Sequence, residues 1–293
     1  PLSKDIGRKI KAEDPTRKYM NYLKSTIDTD LNGLKVAVDC GNGAVYRAAP
    51  ELLHELGAQV YVINNDPNGI NINVNCGSTN PEEIQKLVVE TGADVGLSFD
   101  GDADRLIAAD ENGNIVDGDH VLAICSSYMK GKNKLKGNTV VGTVMTNMGL
   151  DIFLKGENID LIKTKVGDRY VLEEMLRGGY ILGGDTTGDG LLTAIQLLRV
   201  MKEKRTKLSE LSCIMKAMPQ VLVNARVSEE KKKSYLEDEV IKNKIEEIEG
   251  HFHGNGRVLI RPSGTEPLVR VMIEGRDQKY ITKRAAELAA VIE

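Results

Sequence analysis

The sequence predicts two consecutive α/β/α three-layer domains with mixed, mostly parallel sheets, followed by a small α+β C-terminal domain. Three observations lead there. From residue 13 to about residue 219, short apolar runs of strand length alternate with helix-length segments, the pattern of strands covered on both faces. After Pro219 the pattern becomes half-exposed alternating strands and charged helices. The 293 residues, 41% hydrophobic and 28% charged, provide for more than one core.

The elements follow in order. Asp14-Pro15 opens a helix through Tyr19 and Tyr22, with Pro in the first turn, where its missing N–H costs nothing. Leu34 to Asp39 is a strand, Cys40-Gly41-Asn42-Gly43-Ala44 a tight loop, and Leu52, Leu53 and Leu56 mark a helix stopped at Gly57. Gln59 to Ile63 is a second strand. Asn80-Pro81-Glu82-Glu83 reads as a helix start with Asn as N-cap, and Gly92 as its stop. Ala93 to Phe99 is a third strand and Leu106 to Asp110 a fourth. The second domain repeats the theme, with helices near Val121, Phe153, Val171 and Leu191–Val200. Its strands are Thr139–Thr143 and Asp160–Thr164. Beyond Pro219, Gln220 to Val227 alternates as a strand and Glu229 to Glu249 is a charged helix. Two strands then flank Arg261–Pro267, before a final Ala-rich helix. The expected domains are residues 13–113, 114–219 and 220–293. Ile6 to Ile10 looks like the tail of an earlier element, as if the chain were cut.

A net charge of −4 argues against nucleic acid or a membrane surface as the main partner. Cys40, Cys76, Cys125 and Cys213 form no C-x-x-C and read as reduced thiols of a cytoplasmic protein. No apolar run approaches the ~20 residues needed to span a bilayer.

The most informative stretch is Ser98-Phe99-Asp100-Gly101-Asp102-Ala103-Asp104-Arg105. Three carboxylates at every second position after a buried strand can converge on one point, where they repel unless a cation sits among them. Hard oxygen ligands without Cys or His suit Mg²⁺, which keeps positions open for water or phosphate. Arg105 beside them offers a planar grip on phosphate or carboxylate. An EF-hand loop needs Gly at its sixth position, where this chain has Arg105. A dehalogenase-type phosphatase opens its domain with the nucleophilic Asp, whereas here the triplet closes an α/β unit.

A second constellation is Arg257 to Met272, a strand–loop–strand with arginines at both rims. Ser263, Thr265 and the Gly264 N–H can wrap an anion, with Arg261 and Arg270 supplying charge-assisted bonds. Lys165-Val166-Gly167-Asp168-Arg169-Tyr170 puts Lys165 and Arg169 at a strand-to-helix corner, either a ligand edge or a helix cap. The Gly41–Gly43 loop lacks the third glycine of a dinucleotide fingerprint, Tyr46 standing there instead, and reads as a structural turn. His251 and His253 have no third ligand and read as a solvated loop.

Taken together, S-F-D-G-D-A-D-R followed by R-P-S-G-T-E-P-L-V-R-V-M resembles the α-D-phosphohexomutase superfamily. The segments D-C-G-N-G-A at Asp39, C-G-S-T-N-P at Cys76 and T-K-V-G-D-R-Y at Thr164 are most similar to its bacterial phosphoglucosamine mutase branch. The resemblance runs from that family's second domain to its fourth, and implies that residues 1–12 are the end of a first domain. It further implies a cytoplasmic isomerase that interconverts glucosamine 6-phosphate and glucosamine 1-phosphate through a phosphoserine and a sugar 1,6-bisphosphate, for UDP-N-acetylglucosamine synthesis. Asp100, Asp102 and Asp104 would hold one Mg²⁺, with Arg105 supporting the transferring phosphate. Arg261, Ser263, Gly264, Thr265 and Arg270 would grip the other phosphate, and Lys165 and Arg169 would lie near the sugar. The resemblance implies a monomer or homodimer. Two departures stand out: no Ser-His-Asn-Pro phosphoserine loop occurs, and Gly183-Gly184 runs almost directly into Asp185-Thr186-Thr187-Gly188-Asp189-Gly190, where the family carries about a dozen more residues with sugar contacts. A phosphomannomutase or phosphoglucomutase, and a non-catalytic sugar-phosphate binder, remain alternatives at this stage.

Overall fold

The computed structural model describes residues 13–184, 188–263 and 266–293. Packing divides the chain into two compact units, one of residues up to 145 with 157–214, the other of 146–156 with 215–293.

The first unit begins with α1 (Pro15–Ser25), β1 (Lys35–Asp39), α2 (Ala48–Glu55), β2 (Gln59–Ile63), α3 (Glu82–Thr91), β3 (Val95–Phe99), β4 (Leu106–Asp110) and β5 (Ile115–Val116). These strands form one sheet in the order β2-β1-β3-β4-β5. β1 runs parallel to β2 and β3, and β4 and β5 antiparallel. Side chains alternate across the sheet, so Val36 and Val38 enter the main core while Ala37 faces Ile84 and Val88 of α3. A methyl on Gly96 would meet the side chains of Val88 and Ile84 at 2.6 and 2.7 Å, so this glycine lets α3 lie close on the sheet.

Then come α4 (Gly118–Gly131), β6 (Thr139–Thr143), α5 (Met148–Gly156), β7 (Asp160–Thr164), α6 (Asp168–Gly178), α7 (Gly190–Lys204) and α8 (Leu208–Ser212). β6 and β7 pair in parallel, and a single bridge joins Val141 to Gly183. α7 buries Leu191, Ala194, Ile195, Leu197 and Leu198 in the same core as Val36, Leu97 and Phe99. One apolar core therefore joins the five-stranded sheet to α4, α7 and α8.

The second unit holds α5 together with β8 (Gln220–Arg226), α9 (Lys231–Ser234), α10 (Glu239–Phe252), β9 (Gly256–Pro262), β10 (Leu268–Gly275) and α11 (Gln278–Ile292). Its antiparallel sheet has the order β8-β10-β9. Buried Glu274 ties α5 to that sheet, accepting from the Met148 N–H and pairing with Arg257, whose guanidinium donates to the Thr146 carbonyl. Asn147 adds bonds to both the N–H and the carbonyl of Met218.

Several local expectations are corrected. The N-cap of α3 is Pro81, and Asn80 instead turns its amide to the Cys76 carbonyl and the Thr79 hydroxyl. The helix expected over 229–249 is broken. A short α9 leads into a 3-10 turn, and Asp238 then caps α10 by accepting from the Val240 N–H. His251 sits in α10 and stacks on Tyr280 at 4.0 Å rather than in a solvated loop. Cys40, Cys76 and Cys125 are buried, Cys213 is exposed, and all four are free thiols.

Candidate functional site

The Asp loop starts where β3 ends. Asp100 is 1% exposed, and its two oxygens take the backbone N–H of Arg105 at 3.1 Å and the Arg105 Nε at 2.7 Å. The turn closes through the Ala103 N–H on the Asp100 carbonyl, with Ala103 in the left-handed region at φ +62°. That reversal brings one oxygen each of Asp100, Asp102 and Asp104 within 4.8 Å of one another. Asp104 is pushed up to about 6, first by burial and then by Asp100, Asp102 and Asp168. Three converging carboxylate oxygens, with no soft ligand beside them, are a donor set suited to a hard divalent cation.

Neighbouring loops hold this turn in shape. Ala44 donates to the Gly101 carbonyl at 2.8 Å and Ser78 to the Phe99 carbonyl at 3.0 Å. Gly43 lies against the Gly101 backbone so tightly that no β-carbon fits, and Gly41 and Gly77 both crowd the Phe99 carbonyl. Asp39, wholly buried, knits the two glycine loops together by accepting from the Gly41 and Gly77 N–H groups and the Asn64 amide. Burial raises its pKa. On another side, Gly188 and Gly190 donate to the carbonyls of Asp104 and Ala103, each at 2.9 Å. Sequence reasoning missed Asp39 and Gly190 as supports. The only available signal was the recurrence of Gly beside Asp in each loop.

Of the corner residues, Asp168 acts electrostatically on Asp104. Arg169 is 83% exposed and pairs with Glu173 at 2.7 Å, and Lys165 is exposed. A cavity of about 620 Å³ lies beside this corner, lined by Asp168, Arg169, Val171, Gly184, Gly188 and Leu192 among others.

In the second unit, β9 and β10 place Arg261 directly opposite Arg270. Ser263 is 5% exposed, its N–H donating to the Leu268 carbonyl and its hydroxyl accepting from the Glu266 N–H. Arg270 pairs with Glu266 at 3.3 Å, while its Nε is buried without a hydrogen-bond partner among the described residues. Lys232, which sequence reasoning did not single out, donates to the Glu266 carbonyl at 2.8 Å. Gly264 and Thr265 lie outside the described residues. Two opposed cations and a buried hydroxyl at one turn fit a tetrahedral anion.

Three descriptions of phosphoglucomutase/phosphomannomutase match: alpha/beta/alpha domain II over residues 17–113, alpha/beta/alpha domain III over 117–218 and the C-terminal domain over 222–291. Phosphoglucosamine mutases from Acetivibrio thermocellus and Ruminiclostridium cellulolyticum are 60% and 57% identical over the whole chain. This chain covers 68% of each of them, and each match runs over 304 residues against the 293 here. Among solved structures, an Aspergillus fumigatus N-acetylphosphoglucosamine mutase in complex with GlcNAc-6P and magnesium superposes with TM-score 0.75 at 18% identity. It matches 96% of this chain and 71% of its own. A Burkholderia thailandensis phosphoglucomutase/phosphomannomutase family protein gives TM-score 0.76 at 20% identity, over 96% of this chain and 66% of its own.

Proposed function

Because this chain belongs to the phosphoglucomutase/phosphomannomutase family, we propose that it acts as a phosphoglucosamine mutase, interconverting glucosamine 6-phosphate and glucosamine 1-phosphate. The observation that carries this reading is 55–60% identity along the chain to phosphoglucosamine mutases from several bacteria. It is favoured over a phosphomannomutase because those relatives share one amino-sugar activity in their names.

In this reading Asp100, Asp102 and Asp104 hold Mg²⁺. The bound ion supplies neutralisation of the charge on a transferring phosphoryl group. Arg105, held by its bond to Asp100, would offer its guanidinium to the same phosphate. Arg261, Ser263 and Arg270, with Gly264 and Thr265, hold the phosphate that does not react, and Lys165 and Arg169 serve the sugar. Opposed arginines let either end of a sugar 1,6-bisphosphate be held while the other is exchanged, which suits an intermediate that must turn over. The phosphoryl donor is a serine outside these residues, as the resemblance implies. The enzyme would work as a monomer or homodimer in the cytoplasm, feeding nucleotide-sugar synthesis.

The test joins this chain to the N-terminal domain of the Acetivibrio thermocellus relative and assays glucosamine, glucose and mannose 6-phosphates with Mg²⁺. The amino sugar should turn over fastest. Equal or better turnover of mannose 6-phosphate would overturn the assignment.

A further inference from the structure

Tyr19 lies on α1, outside the loops so far placed in the site. Its hydroxyl donates to Asp189 Oδ1 at 2.7 Å. The same oxygen accepts from the Leu192 N–H at 2.9 Å and so caps the N-terminus of α7. One carboxylate oxygen thus fixes both the start of α7 and its distance from α1. Asp189 is also the middle of the Gly188–Gly190 arch, whose two outer amides hold the carbonyls of Asp104 and Ala103. The arch sits hard on the loop: a methyl on Gly190 would come within 2.9 Å of the carbonyl oxygens of both Ala103 and Arg105. A shift of Asp189 would therefore press the arch on the loop backbone.

The remainder of α7 is stitched to the same segment. Gln196 donates to the Thr26 hydroxyl at 2.9 Å, Arg199 pairs with Asp28 at 2.8 Å, and Lys202 reaches the Asn32 carbonyl. These bonds join the stretch matching domain II to the stretch matching domain III. Tyr19 is the member of this seam that bonds to the arch beside the carboxylates. Its bond is made to a charged acceptor in a half-buried place, the kind of hydrogen bond worth most.

We infer that Tyr19 is a positioning residue for the metal loop: through Asp189 it sets the Gly188–Gly190 arch, and the arch sets the backbone from which Asp104 presents its carboxylate. The inference rests on the reading of Asp100, Asp102 and Asp104 as Mg²⁺ ligands.

The test uses the 293-residue chain with Tyr19→Phe, Asp189→Ala and the double variant, and Tyr22→Phe as an exposed control on the same helix. Two readouts are taken: Mg²⁺ affinity by calorimetry, and amide hydrogen exchange at Gly188 and Gly190. Tyr19→Phe should weaken Mg²⁺ binding roughly fivefold and speed exchange of both amides, while Tyr22→Phe changes neither. In the Asp189→Ala background the Tyr19→Phe change should add nothing further, because its route is already cut. A role in stability alone would lower the melting temperature and leave Mg²⁺ affinity untouched, and that result overturns the inference. If the unmutated chain binds no Mg²⁺, the metal reading falls and this inference with it, whatever the exchange rates. Binding by the unmutated chain with full affinity retained in Tyr19→Phe sinks the inference alone.

Discussion

Arg261 and Arg270 are directly paired residues of antiparallel strands, so their two cationic side chains rise from the same face of the β9–β10 ladder. Like charges directly opposite destabilise a sheet unless something lies between or beside them. Glu266 answers part of that need through Arg270 at 3.3 Å. A phosphate would answer it more fully, since two arginines and the buried Ser263 offer several donors to one anion.

Phosphate or glucosamine 6-phosphate should therefore stabilise the chain, by about 2.7 kcal/mol at a hundred times the dissociation constant. In Arg270→Ala that ligand-dependent shift in melting temperature should vanish. In Arg261→Leu the same ligand-dependent shift should be lost. A large loss of stability in Arg261→Leu without phosphate would mean that the arginine serves the fold instead.

For the metal loop, Asp102→Asn is the cleanest change, because its side chain lies in a turn and supports no strand. Mg²⁺ affinity should drop at least about tenfold, equivalent to ~1.4 kcal/mol. Stability without metal should hold or rise, since one of three converging charges is gone. Calorimetric titration with Mg²⁺ and thermal melting in chelator read the two effects separately. Unchanged affinity would remove Asp102 from the ligand set.

Much of this was legible in the sequence. Period-two carboxylates after an apolar run gave the Asp loop, and the R-P-S-G-T-E-P segment between two alternating strands gave the arginine pair. What the sequence did not reveal is tertiary. Asp39 reads there as the last residue of a strand, yet it bonds to Gly77, 38 residues away. Gly43 is required by the approach of Gly101, which no local pattern announces. Asn80 was a good N-cap by type, but its amide found the Cys76 carbonyl, a partner that propensity cannot anticipate. The charged helix after Glu229 broke at Asp238 because an Asp followed by Glu and Val is itself a capping signal, outweighed in the reading by the run of charges.

A pH dependence follows from α4. Its cap, Asp117, accepts from the His120 N–H and pairs with His120 Nδ1 at 2.7 Å. That hydrogen bond raises the His120 pKa, although burial opposes it. The folded state thus binds the proton more tightly than the unfolded chain. The pair's contribution is fully present below the unfolded value, near 6.5, and is lost as pH rises through the raised folded value. His120→Gln should be less stable than the parent by about 0.5–1 kcal/mol at pH 5.5, with the gap closing by pH 8.5. Urea denaturation at both values measures it, and a gap that widens with pH would show the sign to be wrong.

The last expectation concerns a polypeptide of just these 293 residues. Mutase chemistry requires a phosphoryl group to give before one is taken back. The resemblance puts that group on a serine in a Ser-His-Asn-Pro loop, and no such tetrapeptide occurs here. The carboxylates and arginines can bind a phosphosugar and Mg²⁺, but positioning without a donor transfers nothing. The resemblance also implies sugar contacts after Gly184 that this sequence does not carry, so discrimination among sugars should be weaker as well. With Mg²⁺, glucosamine 6-phosphate and added sugar 1,6-bisphosphate, the 1-phosphate should not form above background, while calorimetry should still detect phosphosugar binding that Arg270→Ala removes. Turnover near the rate of an intact relative would require a phosphoryl carrier among these residues, and would overturn the assignment of the missing step to a separate domain.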